Sequence, residues 1–183
     1  MKINKASVHL AIYVLAIIFL GFSIFRIFLM PSEKNTSSAA PLFTSIIQDP
    51  EGKPQSLKQF ENKIIVLNFW ATWCPPCREE MPELSKMQDQ YKNQNLVIIG
   101  LSTDDLETTK TFIQSNPVSY PLLAGDMQAM NFAESLGNNQ GVLPYTVVID
   151  EKGHIVKSFF GRVNQSLLEK TVIPLLKNAT SLN

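Results

Sequence analysis

Residues 64–82, IIVLNFWATWCPPCREEMP, decide the fold. The first seven residues are an apolar run interrupted only by Asn68, and a run of this length and composition predicts a buried β-strand. From Pro75 to about residue 93, apolar residues recur at helical spacing, which predicts an amphipathic helix. Cys74 therefore lies where a buried strand passes into a helix, and Cys77 lies one turn further along.

Strand and helix signals continue after this segment. Residues 96–101, LVIIGL, form a second buried run, so that strand, helix and strand make a β-α-β unit with parallel strands and a right-handed crossover. Periodicity and turn residues also predict extended pieces at 43–48 and 54–57, helices at 106–115 and 127–136, and a short strand at 120–123. Strands at 145–149 and 155–160 are expected to be joined by a tight turn. A last helix is expected to be capped by Asn164 and to be kinked or divided at Pro174. Together they predict an α/β sandwich with mixed strand directions.

An apolar segment lies near the N-terminus. Residues 10–30 carry one charge, Arg26, and as a helix they would be about 31 Å long, enough to span a bilayer. The run is longer than the apolar part of a cleaved signal peptide, so we expect an uncleaved anchor, with Lys2 and Lys5 on the cytoplasmic side. The expected parts are a signal anchor or transmembrane helix at 1–30, a polar linker at 31–41 and a globular domain at 42–183.

Composition narrows the possible functions. Sixteen Lys and Arg balance sixteen Asp and Glu, and no basic run suggests a nucleic-acid partner. There are only two cysteines and two histidines. A disulfide that closes so short a loop would contribute about 2 kcal/mol in the chain-entropy model, and a four-ligand zinc site would need further Cys or His ligands. We therefore expect redox chemistry, with no metal and no cofactor.

Cys74 and Cys77 form the candidate reactive pair. The first turn of a helix presents unpaired N–H groups and a partial positive charge, so we expect the pKa of Cys74 to fall below the free value of ~8.5. A thiolate at Cys74 would attack a disulfide sulfur, and Cys77 would resolve the mixed disulfide. Pro75 and Pro76 stand at early helical positions, where a missing N–H costs little, and they stiffen the loop.

The sequence alone allows two interpretations of Glu80. It follows Cys77 by three positions and so lies about one turn along a similar face of the helix. A carboxylate there can carry the proton of the buried sulfur. The other reading is a solvated helix residue, like its neighbour Glu79.

The sequence also allows two interpretations each for Pro144 and Trp73. Pro144, which follows Leu143 before a strand, is expected on local grounds to be an ordinary trans proline. A cis proline there would leave neighbouring backbone free to pair with a substrate chain. Trp73 is either a core residue or a contact surface for a partner, and the second is favoured because Trp70 supplies the core aromatic.

The segment 68–82 closely resembles the active-site segment of TlpA/ResA-like proteins, which are membrane-anchored members of the thioredoxin superfamily. The resemblance extends over roughly residues 42–178. It implies a thioredoxin-like fold with an N-terminal β-hairpin and a central α/β insert between Leu101 and Gly137, preceded by one transmembrane helix. It also implies the following roles: nucleophile for Cys74, resolving residue for Cys77, active-site glutamate for Glu80 and cis-proline for Pro144. The residues expected to contact the substrate are Trp73, Pro75, Pro76, Leu143 and Pro144.

The resemblance also implies a function. Such proteins face outward from a bacterial cytoplasmic membrane, reduce disulfides of exported proteins, many of them in cytochrome c maturation, and are re-reduced by an integral membrane thiol carrier. Thioredoxins carry a buried aspartate in the strand before the active site, where this chain has Asn68. An amide cannot take the proton of the resolving cysteine, so Glu80 is the expected replacement.

Three other functions were compared with the Cys-x-x-Cys motif. A disulfide oxidase or isomerase would use the same pair, and only the reduction potential separates it from a reductase. A peroxidase of the peroxiredoxin kind would need a threonine upstream of Cys74 at a spacing that this chain lacks. A metal or haem chaperone is disfavoured, because Arg78 rather than histidine follows Cys77 and because His154 is expected in an exposed turn.

Overall fold

A computed structural model describes residues 13–22 and 38–180. The chain divides into two compact units, Met1–Asn35 and Thr36–Asn183. In the first unit, residues 13–22 form helix α1. Within the described ranges, no helix is both long and apolar enough to cross a membrane. The remainder of the predicted membrane helix at 10–30, and the linker up to residue 37, lie outside those ranges.

The second unit is built on one sheet of seven strands, in the spatial order β2-β1-β5-β4-β3-β6-β7. The strands are β1 (Ile46–Gln48), β2 (Pro54–Ser56), β3 (Ile64–Trp70), β4 (Leu96–Ser102), β5 (Leu122–Ala124), β6 (Tyr145–Ile149) and β7 (Ile155–Phe160). The helices are α2 (Ala40–Phe43), α3 (Pro75–Tyr91), α4 (Leu106–Ser115), α5 (Asp126–Ser135) and α6 (Gln165–Thr180), with a 3-10 turn at Leu57–Phe60. The predicted mixed α/β architecture is confirmed.

Strand β3 lies in the interior of the sheet, and every one of its residues is buried. It pairs in parallel with β4 and antiparallel with β6. Its side chains alternate between the two faces: Val66 and Trp70 pack in the core that includes residues of α3 and α6, whereas Leu67 and Phe69 pack in the core on the other face, with residues of α2 and α5. The parallel β3-α3-β4 unit was predicted, and it places the N-terminus of α3 just after the end of β3.

Gly100, which is paired with Asn68 across β3 and β4, permits this packing under α3. A Cβ at this position would overlap the Leu122 side chain and would lie 3.0 Å from the Tyr120 ring and 3.3 Å from Trp70 Nε1. The absent side chain therefore lets two large aromatic residues pack against the sheet beside the cysteine-bearing helix.

One expectation about local structure is wrong, and a second is wrong in part. Phe43 ends the short helix α2 rather than beginning an extended piece, and its side chain is buried in the core. Pro174 does not divide α6, which continues through it. The buried side chains of Leu168 and Val172 hold this helix against the sheet, so packing outweighs the local cost of the proline.

The predicted N-terminal hairpin and the predicted cap of the last helix are confirmed. β1 and β2 form the N-terminal antiparallel hairpin. The insert, β5 with its flanking helices, follows β4 in sequence, and β5 lies between β4 and β1 in the sheet. Asn164 caps α6, because its Oδ1 accepts a hydrogen bond from the N–H of Leu167 at 2.8 Å. Ala39, within the stretch assigned to the linker, is fully buried, and its N–H donates to the carbonyl of Gly153 at 2.9 Å.

Candidate active site

Cys74 and Cys77 form a disulfide, so the structure represents the oxidised protein. Cys74 is the N-cap of α3, and its Sγ accepts a hydrogen bond from the N–H of Cys77 at 3.3 Å. Cys77 is fully buried, while Cys74 is 3% exposed. The predicted arrangement is confirmed: the first cysteine stands at the helix start and the second lies deeper.

The helix begins at this point because of the two prolines. Pro75 and Pro76 occupy the first turn of α3, where the backbone N–H that proline lacks would have no partner within the helix. Pro75 is exposed and Pro76 is half-buried, so both stand at the surface next to the disulfide. The preceding loop is held by Asp104, whose Oδ2 accepts from the N–H of Thr72 at 2.6 Å. Asp104 was not predicted.

Glu80 is fully buried, which excludes the interpretation that it is a solvated helix residue. Its Oε1 accepts a hydrogen bond from Asn68 Nδ2 at 2.6 Å, and its Oε2 accepts one from the N–H of Val163 at 2.8 Å. The side chain of Glu79, by contrast, is 59% exposed. Each carboxylate oxygen of Glu80 therefore has a donor, as a buried acid requires.

Burial raises the pKa of Glu80 from 4.5 to about 7. The hydrogen bonds from Val163 and Asn68 and the charge of Arg162 oppose this rise, and the charge of Glu83 adds to it. Burial is the largest of these effects because it removes the ionised form from water. Near neutral pH the group is consequently poised between its acid and carboxylate forms, which suits proton transfer.

Asn68 is held in the orientation that serves Glu80. Besides donating to the carboxylate, its Nδ2 donates to Thr146 Oγ1 at 3.0 Å. Asn68 and Thr146 are paired across β3 and β6, and both are fully buried. Sequence analysis did not find Thr146 or Val163, since nothing near either residue marks it as a partner of an acid on α3.

The peptide bond between Leu143 and Pro144 is cis. The local expectation of a trans proline was wrong, and the expectation drawn from the family resemblance is confirmed. Local residues set only a weak preference at such a bond, and tertiary contacts decide the isomer. The Pro144 carbonyl accepts from the N–H of Gly161 at 2.9 Å, which ties this loop to the turn after β7.

Trp73 is 70% exposed, whereas Trp70 is fully buried, so Trp70 is the core aromatic as expected. Trp73 forms one wall of a groove of about 280 Å³. The groove is lined by Trp73, Thr103, Met130, Ala133, Asn138, Gly141 and Leu143. Every lining residue is uncharged, and Trp73 and Leu143 flank the disulfide and the cis-proline in sequence.

His154 lies away from these residues, in the turn before β7. Its side chain is 43% exposed, and its Nδ1 lies 3.3 Å from Asp150 Oδ2. Across residues 13–22 and 38–180, no three His, Cys, Asp or Glu side chains are grouped so that they could hold a metal ion.

A Cys-x-x-Cys disulfide at a helix N-terminus, in a mixed α/β fold that also carries a cis-proline before a strand, is typical of the thioredoxin-like thiol–disulfide oxidoreductases. Residues 36–158 match the AhpC/TSA family, and the chain belongs to that family. It is a thiol–disulfide oxidoreductase of the ResA-like kind, as the following relatives show.

Several curated relatives carry the name thiol-disulfide oxidoreductase ResA, including the following two. The protein from Halalkalibacterium halodurans is 33% identical over 126 residues, which are 68% of this chain and 69% of that protein. The protein from Bacillus cereus is 30% identical over 171 residues, which are 92% of this chain and 95% of that protein. The crystal structure of a thioredoxin-family thiol:disulfide interchange protein from Chlorobium tepidum aligns with a TM-score of 0.68 at 22% identity, covering 79% of this chain and 99% of that one. The thioredoxin-like fold is thereby confirmed.

The first prediction concerns the pH dependence of stability. The raised pKa means that folded protein keeps the Glu80 proton up to about pH 7, whereas the unfolded chain loses it near pH 4.5. The stabilisation is therefore fully present below about pH 4.5 and is lost as pH rises to 7. Glu80→Gln lacks this loss. We therefore expect its free energy of unfolding, taken as the difference from wild type, to rise by about 2–3 kcal/mol from pH 5 to pH 8.

The measurement is the free energy of denaturant unfolding of the oxidised protein at both pH values. Glu134→Gln, on the exposed surface of α5, is the matched control and should follow wild type. Parallel pH dependence in wild type and Glu80→Gln would contradict the prediction.

Proposed function

We propose that the protein reduces disulfide bonds of exported proteins, with Cys74 as nucleophile, Cys77 as resolving cysteine and Glu80 as proton acceptor. The observation that carries the proposal is the Cys74–Cys77 disulfide at the start of α3, with a buried, hydrogen-bonded carboxyl group one turn further along the helix. The ResA relatives support thiol–disulfide exchange.

In the first step the reduced protein acts through Cys74. The N-terminus of α3 stabilises its thiolate, which attacks one sulfur of the partner's disulfide. A bond forms between Cys74 Sγ and that sulfur, while the partner's S–S bond breaks. The second partner sulfur leaves as a thiolate and takes a proton from solvent.

In the second step Cys77 resolves the mixed disulfide. Glu80, as carboxylate, takes the proton of the Cys77 thiol, and the new thiolate attacks Cys74 Sγ. The bond between Cys74 and the partner breaks, and the partner leaves as a dithiol. Two electrons have passed from the cysteine pair to the partner, and Glu80 returns its proton to the departing thiolate or to solvent.

The direction of electron flow depends on the reduction potential of the Cys74–Cys77 couple. An ionised Glu80 disfavours a second negative charge on buried Cys77, but the neutral thiol carries no such penalty, so the carboxylate alone does not set the direction. A couple whose oxidised form is favoured is a reductant, and the oxidase or isomerase alternative requires the opposite balance.

The proposed setting is the outer face of a bacterial cytoplasmic membrane. The apolar residues 10–30 would anchor the chain, and the domain would receive electrons from an integral membrane thiol carrier. The finer proposal for the substrate is an apocytochrome c, whose haem-attachment cysteines must be reduced.

The substrate chain is proposed to lie across Trp73, Pro75, Pro76 and the Leu143–Pro144 peptide. The exposed indole and the uncharged groove beside it suit an apolar side chain next to the partner's cysteine. Free backbone next to the proline can pair with an extended segment.

We expect a reduction potential near that of thioredoxin, about −270 mV, and not near the about −120 mV of strong periplasmic oxidants. The measurement is equilibration of the full chain with glutathione or dithiothreitol buffers at pH 7. Tryptophan fluorescence follows the redox state, since Trp73 neighbours the pair. A potential near the oxidant value would reject the reductase in favour of the oxidase.

Cys77→Ser should trap the substrate in cells as a mixed disulfide through Cys74. We expect an exported cysteine-containing protein that is released by dithiothreitol, and a Cys-x-x-Cys-His sequence in it would support the apocytochrome proposal. The control is the variant with serine at both positions, which should trap nothing. Absence of any thiol-sensitive adduct would count against thiol exchange with proteins.

Trp73→Ala should raise KM for a protein disulfide such as insulin about tenfold, the loss of roughly 1.4 kcal/mol of contact. Its rate with a small disulfide such as oxidised glutathione should stay within a factor of about two. Ile46→Ala is the control, because Ile46 is 61% exposed on β1, remote in the sheet order from the cysteines. Equal losses on both substrates would exclude a docking role for Trp73.

A further inference from the structure

We propose that Arg162 is a positioning residue: by bridging Glu79 and Glu83 on α3, it holds residues 162–165, and with them the N–H of Val163, against the Glu80 carboxylate. The inference deepens the proposed function, since it rests on Glu80 as the proton acceptor.

Three carboxylates of one helix face this segment. Arg162 Nη1 lies 3.1 Å from Glu79 Oε2, and its Nη2 lies 3.5 Å from Glu83 Oε1. Glu79 and Glu83 are four residues apart, so they project from the same side of α3, and one guanidinium can engage both. Glu80 lies between them in sequence but points inward, to Val163.

The segment is tied down on both sides of Arg162. Before it, the N–H of Gly161 donates to the Pro144 carbonyl, and the φ of +82° at Gly161 allows the turn out of β7. After it, Val163 is 1% exposed in the core, and the N–H of Gln165 donates to Glu83 Oε2 at 3.1 Å. Arg162 thus fixes the short segment between β7 and α6, and the buried N–H of Val163 in this segment donates to Glu80.

The exposure of the three ion-pairing side chains indicates which property should change when Arg162 is lost. The side chains of Arg162, Glu79 and Glu83 are 45%, 59% and 40% exposed, and exposed ion pairs contribute little to overall stability. Glu80 is buried and fully dependent on its donors. Loss of Arg162 should therefore alter the ionisation of Glu80 more than the stability of the fold.

The charges around Glu80 give the expected direction. The charge of Arg162 lowers the pKa of Glu80, and that of Glu83 raises it. Burial raises the pKa of Tyr120, and the charge of Glu80 adds to that rise, while buried Cys77 lies on the same helix as Glu80. Without Arg162, Glu79 and Glu83 are no longer neutralised and the Val163 donor is less firmly held. Both changes favour the protonated acid.

The test compares Arg162→Gln with wild type in the full-length oxidised protein. We expect the carbon-13 NMR titration of the Glu80 carboxyl to move upward by about 0.5 pH unit or more. The Val163 amide should exchange with deuterium about tenfold faster. Arg162→Lys, which keeps the charge but not the forked geometry, should restore most of the titration and less of the amide protection.

Lys170→Gln removes one charge from the exposed surface of α6 and is the control, with wild-type values expected for both measurements. An unshifted Glu80 titration in Arg162→Gln, or an unaltered exchange rate at Val163, would overturn the inference.

The pH–rate profile for insulin reduction separates this inference from the proposed function. The limb that depends on Glu80 should move with the NMR titration in Arg162→Gln, and that shift should vanish when Glu80→Gln is also present. If Glu80→Gln alone leaves the profile unaltered, the proposed role of Glu80 fails and the role of Arg162 in the reaction fails with it. If Glu80→Gln alters the profile and Arg162→Gln does not, the positioning role alone is overturned.

Discussion

The structure depends on one buried carboxyl group and its two donors. Glu80 on α3 accepts from Asn68 on β3 and from the backbone of Val163 in the turn before α6. An acid without these donors would pay a large desolvation penalty in the core. Strand, helix and turn are therefore held in one arrangement, in which the cysteine-bearing helix has a defined position over the sheet.

The two sulfurs of the disulfide consequently have different surroundings. Cys74 is the N-cap of α3, where backbone N–H groups favour negative charge. Cys77 is fully buried, and the nearest acid along its helix face has a pKa of about 7. A thiolate is thus favoured on one sulfur and disfavoured on the other while Glu80 is ionised, and this asymmetry gives the pair its order of attack in the proposed reaction.

Long, regular elements were predictable because their pattern is local. The apolar runs that became β3 and β4, and the Cys74–Pro75 helix start, needed only period and turn chemistry. The site was predictable only in part. The helical spacing of α3 places Glu80 on the face of Cys77, but it does not show that a carboxylate there is buried, since one of its donors, Val163, is 83 residues away in sequence. The cis bond at Pro144 and the uninterrupted α6 likewise depend on tertiary packing.

Asn68 explains why the acid belongs on the helix in this protein. An aspartate at that position would place a second carboxylate against Glu80, and two like charges in a buried site cannot both ionise near neutral pH. The amide instead supplies two N–H donors, one to Glu80 and one to Thr146. A strand residue that donates and a helix residue that accepts are mutually required, so exchange of either one alone would leave a buried polar group without its partner.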